Sequence, residues 1–321
     1  MANEKKYRIG IDLGGTNIKV GIVDQQHNII ANHSVKTLVE RNYTEIIKDM
    51  ADAVYYVLEQ SNITLSECSA LGIGSPGCID FQNGVVVFAG NLHWENVPIL
   101  QELKKYIDLP MGLSNDANCA ALGEVVGGAA KEYQNAVMIT LGTGVGGGIV
   151  MNRKIFEGGH PGGTELGHTT VVSGGEYCTC GRHGCFEAYS SATALIRDTK
   201  RAAQNHPESL LNTLCHNNLD EINGITPFDA AKQGDAVGKE VVENYIKYLG
   251  EGIVNMVNIF RPDVVLLSGG VCNQGAYLTD PLNEYIKKYC FAGERAFIPP
   301  VIRATLGNDA GIIGAASIVE V

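Results

Sequence analysis

Between Gly162 and Glu187 the chain reads GGTELGHTTVVSGGEYCTCGRHGCFE. Three thiols at C-x-C-x4-C spacing (Cys178, Cys180, Cys185), with an imidazole just upstream, have the composition of a closed tetrahedral zinc site. Such a site constrains the segment to a loop tight enough for the sulfurs to converge, and Gly181 and Gly184 give the backbone that freedom. Unrelated free thiols rarely crowd this closely. His168 is the expected fourth ligand, with His183 and His160 as rivals. A Cys3His set leaves no open position for an activated water, so the zinc is expected to be structural. What it would shape is the setting of Glu165, His168 and Glu187, groups suited to hydrogen-bonding a polyhydroxylated ligand.

A chain of 321 residues predicts about two domains. With 24 basic against 35 acidic residues and no Lys/Arg run longer than two, nucleic acid is not expected as a partner. No signal-peptide pattern and no apolar run of membrane-spanning length are legible. The other cysteines (Cys68, Cys78, Cys119, Cys215, Cys272, Cys290) are scattered singly, the pattern of reduced core thiols. Together these predict a cytoplasmic protein without a membrane partner.

Along the chain, a strand over Tyr7–Asp12 runs into the turn Leu13-Gly14-Gly15-Thr16-Asn17 and a second strand, Ile18–Val23. The arrangement recurs at Ala136–Asn152, as strand AVMIT, turn LGTGVGG and strand GIVM. Paired glycines permit close backbone approach, and two amide-rich turns facing each other would clamp a polyphosphate. A glycine turn that merely closes a hairpin is commoner for any single case; two, each with Thr, favour phosphate. The G-x-G-x-G-G spacing at Gly142–Gly147 is not a dinucleotide fingerprint, because a strand and not a helix follows it. No P-loop sequence occurs either.

Helical periodicity covers Thr44–Gln60, and helices are also expected at Val97–Tyr106, Ala117–Glu124, Ala188–Ala203, Pro227–Gln233, Ala236–Phe260, Ala276–Tyr289 and Asp309–Val319. Further strands are expected at Ala70–Gly74, Val85–Ala89, Met111–Ser114, Asp263–Leu267 and Phe297–Ile302. The alternation indicates α/β layers. Asp116 is thus a carboxylate between a strand's end and a helix start. A bare helix cap, by Asn115 or Asp116, explains that position as well as chemistry does. Asn91 and His93 follow a strand and read equally as ligand contacts or turn residues. Ser268-Gly269-Gly270-Val271 is a third glycine turn.

DLGGTNIKVGIVD, SPGCID, the SND of Ser114–Asp116, TLGTGVGGGIV, ELGH, CTCGRHGCFE, LSGGV and GNDAGIIGAA occur in the order seen in the ROK family, sugar kinases of the actin/Hsp70/hexokinase (ribonuclease H-like) superfamily. The chain resembles that family over nearly its whole length, and its bacterial glucokinases in particular. The resemblance implies two α/β domains hinged around a cleft where ATP and sugar meet. The expected division is 1–117 plus about 305–321, carrying the first phosphate loop, and 118–304, carrying the second loop, the zinc segment and the adenosine turn. It implies that Gly14, Gly15, Thr16 and Asn17 form the first phosphate loop, and Thr143 and Gly144 part of the second. Gly269 and Gly270 would lie near the adenosine, and Asp12 would hold Mg2+ through water. Asp116 would be the general base, with Asn115 and Asn91 on sugar hydroxyls and Glu165, His168 and Glu187 completing the sugar pocket. The implied reaction is ATP-dependent phosphorylation of a hexose, glucose to glucose 6-phosphate, by a homodimer. N-acetylmannosamine and other hexoses or N-acetylhexosamines are alternative substrates. A non-catalytic sugar-sensing regulator is the alternative of a different class.

Overall fold

The strand–glycine turn–strand device opens two sheets that repeat one strand order. The computed structural model describes residues 5–319. Its first elements are β1 (Tyr7–Leu13), β2 (Asn17–Val23), β3 (Ile29–Lys36), α1 (Tyr43–Ser61), β4 (Cys68–Ser75), β5 (Cys78–Asp80), β6 (Val85–Ala89) and β7 (Trp94–Val97). Next come α2 (Ile99–Leu103), β8 (Met111–Asn115), α3 (Asp116–Gly127), β9 (Ala136–Leu141), β10 (Val145–Met151) and β11 (Lys154–Ile155). The rest is α4 (Glu187–Ser190), α5 (Ala192–Asn205), α6 (Leu210–Leu214), α7 (Thr226–Lys232) and α8 (Ala236–Phe260), then β12 (Val264–Ser268), α9 (Ala276–Tyr289), β13 (Val301–Arg303) and α10 (Ala310–Ser317). One sheet runs β3-β2-β1-β4-β8, the other β11-β10-β9-β12-β13, and β5-β6-β7 form a small third. In the first sheet the hairpin strands pair antiparallel while β1, β4 and β8 are parallel, so their carboxyl ends share one edge.

The chain divides into two compact units: Met1–Val137 with Gly148–Thr164 and Ala304–Val321, and Met138–Gly147 with Glu165–Arg303. The division expected at 117/118 falls inside α3, which lies whole in the first unit. The reason is packing: a Cβ at Gly123 would collide with the Ala310 carbonyl, and one at Gly314 with that of Cys119, so α3 and α10 lie backbone to backbone. Helix α10 is equally close to the first sheet, where side chains at Gly10 or Gly72 would strike the carbonyl oxygens of Ile312 and Ala315. Its Ile312 and Ile313 are almost fully buried, each worth about 1.5–3 kcal/mol. On the sheet's other side α1 begins with a capping box, Asn42 with Glu45, and buries Ile46, Ile47, Met50, Val54 and Val57 in the core of β1, β2 and β4.

Three expected elements differ. Val97 ends β7, paired with Val86, and the helix after it runs only from Ile99 to Leu103, since Pro98 has no N–H to continue the ladder. The expected helix Ala188–Ala203 is broken at Ser191, whose hydroxyl caps α5 by accepting from Ala194 N–H at 3.0 Å. The expected strand Phe297–Ile302 pairs only from Val301 to Arg303, because Pro299 and Pro300 cannot donate to a ladder. Among the described residues no helix is long and apolar enough to cross a membrane, and all nine cysteines are free thiols.

Candidate functional site

In the first unit, the candidate residues collect at the shared edge of β1, β4 and β8. Register places Asp12 opposite Gly74, and Ser75 opposite Asn115. In parallel α/β sheets that edge is where ligands bind. Asp12 pairs with Lys19 at 3.3 Å. The first glycine turn closes by a bond from Gly14 N–H to Asn17 O at 2.9 Å, and Thr37 holds it from β3's end, its hydroxyl donating to Gly14 O at 2.6 Å. Gly15 faces Asn91, whose carbonyl oxygen would lie 3.3 Å from a Cβ there, so the turn and the Asn91 loop touch.

Asn115 is the N-cap of α3, accepting from the N–H groups of Ala117 and Asn118 at 2.9 and 3.3 Å. Its Nδ2 donates to Gly77 O at 3.3 Å, so a sugar hydroxyl at that nitrogen has to share it. Asp116 is the first residue of α3, and its Oδ1 accepts from Ala117 N–H at 2.8 Å. The cap thus falls to Asn115, and Asp116 sits half-buried at the helix start. The fully buried Cys119 thiol is pushed well up, by burial first and then by the charges of Glu157, Asp116 and Asp12.

Glu157 was not among the sequence candidates. It accepts from Ser114 Oγ at 2.5 Å and from Asn118 Nδ2 at 3.1 Å, and burial pushes its carboxyl up against the opposing pull of those two bonds. Its partners lie about forty positions earlier, which is why no local pattern marked it.

In the second unit, the glycine turn between β9 and β10 closes by Gly142 N–H on Gly144 O at 3.0 Å. Ala192 N–H donates to Gly142 O at 2.9 Å, and Thr193 Oγ donates to Thr143 O at 2.7 Å. Val145 N–H donates to Glu187 Oε2 at 3.0 Å, and a side chain on Gly144 would collide with that carboxylate. Gly269, with φ of 96°, lies against the backbone of Leu141 at the start of the same turn, so this glycine turn and Gly269–Gly270 are neighbours.

Glu165 and His168 bracket a single 3-10 turn, Leu166–His168, with Gly167 pressed on the Val145 backbone. His168, Cys178, Cys180 and Cys185 each offer a ligand atom, and these atoms all lie within 4.8 Å of one another. His183 is elsewhere, its Nδ1 3.0 Å from Gly175 O. Gly181 and Gly184 both take positive φ, 89° and 86°. The donor set fits zinc in geometry as well as chemistry. Bonds of about 2.3 Å to sulfur and 2.0–2.1 Å to nitrogen in a tetrahedron put S···S near 3.8 Å and S···N near 3.6 Å. Here Cys180 and Cys185 sulfurs are 3.6 Å apart, and Cys178 Sγ is 3.6 Å from His168 Nδ1. Burial pushes the Cys178 thiol up to about 12 and raises Cys185. Such thiols stay protonated at neutral pH unless a cation compensates. Glu187 joins this cluster to the turn: its Oε1 accepts from Thr179 Oγ at 3.2 Å and lies 3.5 Å from Cys178 Sγ.

The ROK family profile matches residues 8–321. A glucokinase of Thermotoga maritima is 36% identical over 316 residues, covering 97% of this chain and 96% of its own. One of Streptomyces coelicolor is 35% identical over 312 residues, again 97% and 96%. Among solved structures, a ROK family glucokinase of Streptomyces griseus, in complex with glucose and AMPPNP, matches with a TM-score of 0.77 at 34% identity over 98% of this chain and 99% of that one. With the two glycine turns and the cysteine cluster in place and the match running the length of the chain, this protein is a member of the ROK family.

Proposed function

We propose that the chain is an ATP-dependent sugar kinase that phosphorylates glucose to glucose 6-phosphate, feeding glycolysis, with Asp116 as general base. The observation that carries this reading is Asp116 itself: a half-buried carboxylate at the carboxyl end of β8, on the edge shared with Asp12 and next to Asn115, the N-cap of α3. A sugar hydroxyl is a poor nucleophile, and a carboxylate that accepts its proton contributes roughly 10²–10⁴-fold. The rest of phosphoryl transfer is positioning and charge neutralisation. Backbone amides of Gly14–Asn17 and of the Thr143–Gly144 turn suit the phosphates, and Asp12 is placed to hold Mg2+ through water. Asn91, Asn115, Asp116, Glu165, His168 and Glu187 are the proposed sugar contacts. Gly269 and Gly270 are proposed to pack by the adenosine.

Zinc held by His168, Cys178, Cys180 and Cys185 fills its coordination sphere, so it supplies shape and no activated water. Ligation through His168 Nδ1 leaves Nε2 for a sugar hydroxyl. The protein is proposed to work in the cytoplasm as a homodimer, without nucleic-acid or membrane partners.

The test is ADP release with Mg-ATP across hexoses and N-acetylhexosamines, for the wild type and Asp116→Asn. Glucose-dependent turnover that falls by about 10²–10⁴-fold in the variant, with glucose binding retained, is expected. Turnover with an acetamido sugar alone, such as N-acetylmannosamine, would replace the substrate. Sugar binding without turnover by the wild type would make the protein a sugar-responsive regulator instead.

A further inference from the structure

We infer that Glu157 is a positioning residue for the general base, a role that rests on the reading of Asp116 just given. Ser114 and Asn118 lie on either side of the Asn115–Asp116 pair, one in the last turn of strand and one in the first turn of helix. Both are almost fully buried, at 1% and 2% exposure, so each polar side chain needs a partner. One carboxylate serves both: Oε1 receives the Ser114 hydroxyl and Oε2 the Asn118 amide. The remaining end of Asn118 is also held, its Oδ1 lying 3.4 Å from Thr164 Oγ. Glu157 therefore clamps the β8–α3 junction from both flanks, and Asp116 is the middle one of the three residues between the clamped points.

Burial of an acid is costly, and Glu157 carries that cost, its carboxyl being raised by desolvation. A plain staple between two segments needs no charge there; a neutral amide would join Ser114 to Asn118 with less penalty. What a carboxylate adds is two strong, short acceptors with fixed angles, which hold the junction stiffly. Stiffness matters because a base displaced by about 1 Å loses on the order of 100-fold in rate.

The experiment is a kinetic cycle on the intact protein with Glu157→Ala, Glu157→Gln, Asp116→Asn and the double variant E157A/D116N. E157A is expected to lower kcat at least tenfold while the KM for sugar moves less. E157Q, which keeps the acceptor for Ser114 but loses the one for Asn118 Nδ2, is expected to recover only part of that loss. The loss on E157A should vanish in the Asp116→Asn background, because Glu157 acts through the base; a general loosening would lower residual turnover there by the same factor. Ser114→Ala, expected to mimic E157A more mildly, serves if E157A does not fold. Wild-type kcat in E157A beside an inactive D116N overturns this inference and leaves the base assignment standing. An equal loss in both backgrounds also overturns it. Near-normal turnover in D116N overturns the base assignment, and the positioning role with it.

Discussion

The two glycine turns share a local design and differ in what holds them. The turn at Gly14–Asn17 is braced by Thr37, at the end of the strand that follows in the same meander, and its nearby acid, Asp12, is neutralised by Lys19 from the same hairpin. Apart from the contact of Gly15 with the Asn91 loop, its bracing comes from within about thirty consecutive residues. The turn at Leu141–Val145 is braced by Glu187, Ala192 and Thr193, all of them beyond the cysteine cluster, and Glu187 also touches Cys178 and Thr179. One glycine turn is thus braced mainly from its own meander, and the other from residues just beyond the cysteine cluster. The difference gives a metal held by the cluster a route to the second glycine turn through Glu187.

Removing the metal is the most direct way to break this comparison. Chelation, or Cys185→Ser, is expected to speed hydrogen exchange at 142–145 and 187–193 by roughly 100-fold or more, with little change at 14–17. The untreated protein should carry about one zinc per chain by elemental analysis. Equal acceleration at both turns would mean that neither depends on the cluster. A smaller effect is expected from Glu187→Gln, which swaps a charge-assisted bond to Val145 N–H for a neutral one, a loss of about 1 kcal/mol. It should appear as faster exchange at Val145 and a lower melting temperature, again sparing Gly14. The smallest effects are Thr37→Val and Thr193→Val, about 0.5–1.5 kcal/mol each in urea unfolding. These sharpen the comparison by coupling: in metal-stripped protein Thr193→Val should cost much less, because its turn is already loose, while Thr37→Val should cost the same. Identical costs in both forms would remove the link between cluster and turn.

Local chemistry was legible from the sequence, and long-range chemistry was not. The ligand group His168, Cys178, Cys180 and Cys185 lies within eighteen residues, and α8 and α9 have the bounds that their apolar periodicity predicts. Strand β3, IIANHSVK, escaped notice because its burial alternates between half-buried and exposed, so it lacks an apolar stripe. The break at Ser191 was hidden because AYSSATAL reads as continuous helix until a hydroxyl turns back to cap it. Asp116 stood out as a carboxylate between two elements, but that Asn115 and not Asp116 does the capping is a matter of side-chain geometry. Glu157 on Ser114 and Glu187 on Val145 join positions 43 and 42 apart, distances that no window of periodicity spans.

The close seat of α10 on Gly10 and Gly72 also sets an order of assembly during synthesis. The first sheet and α3 leave the ribosome early, but the surface they present to α10 stays bare until Ala310–Ser317 has been made. At roughly 5–20 residues per second, the chain between Val137 and Ser317 takes on the order of ten seconds or more to translate. Through that interval the N-terminal sheet is a half-built layer with an exposed groove shaped for a helix that does not yet exist.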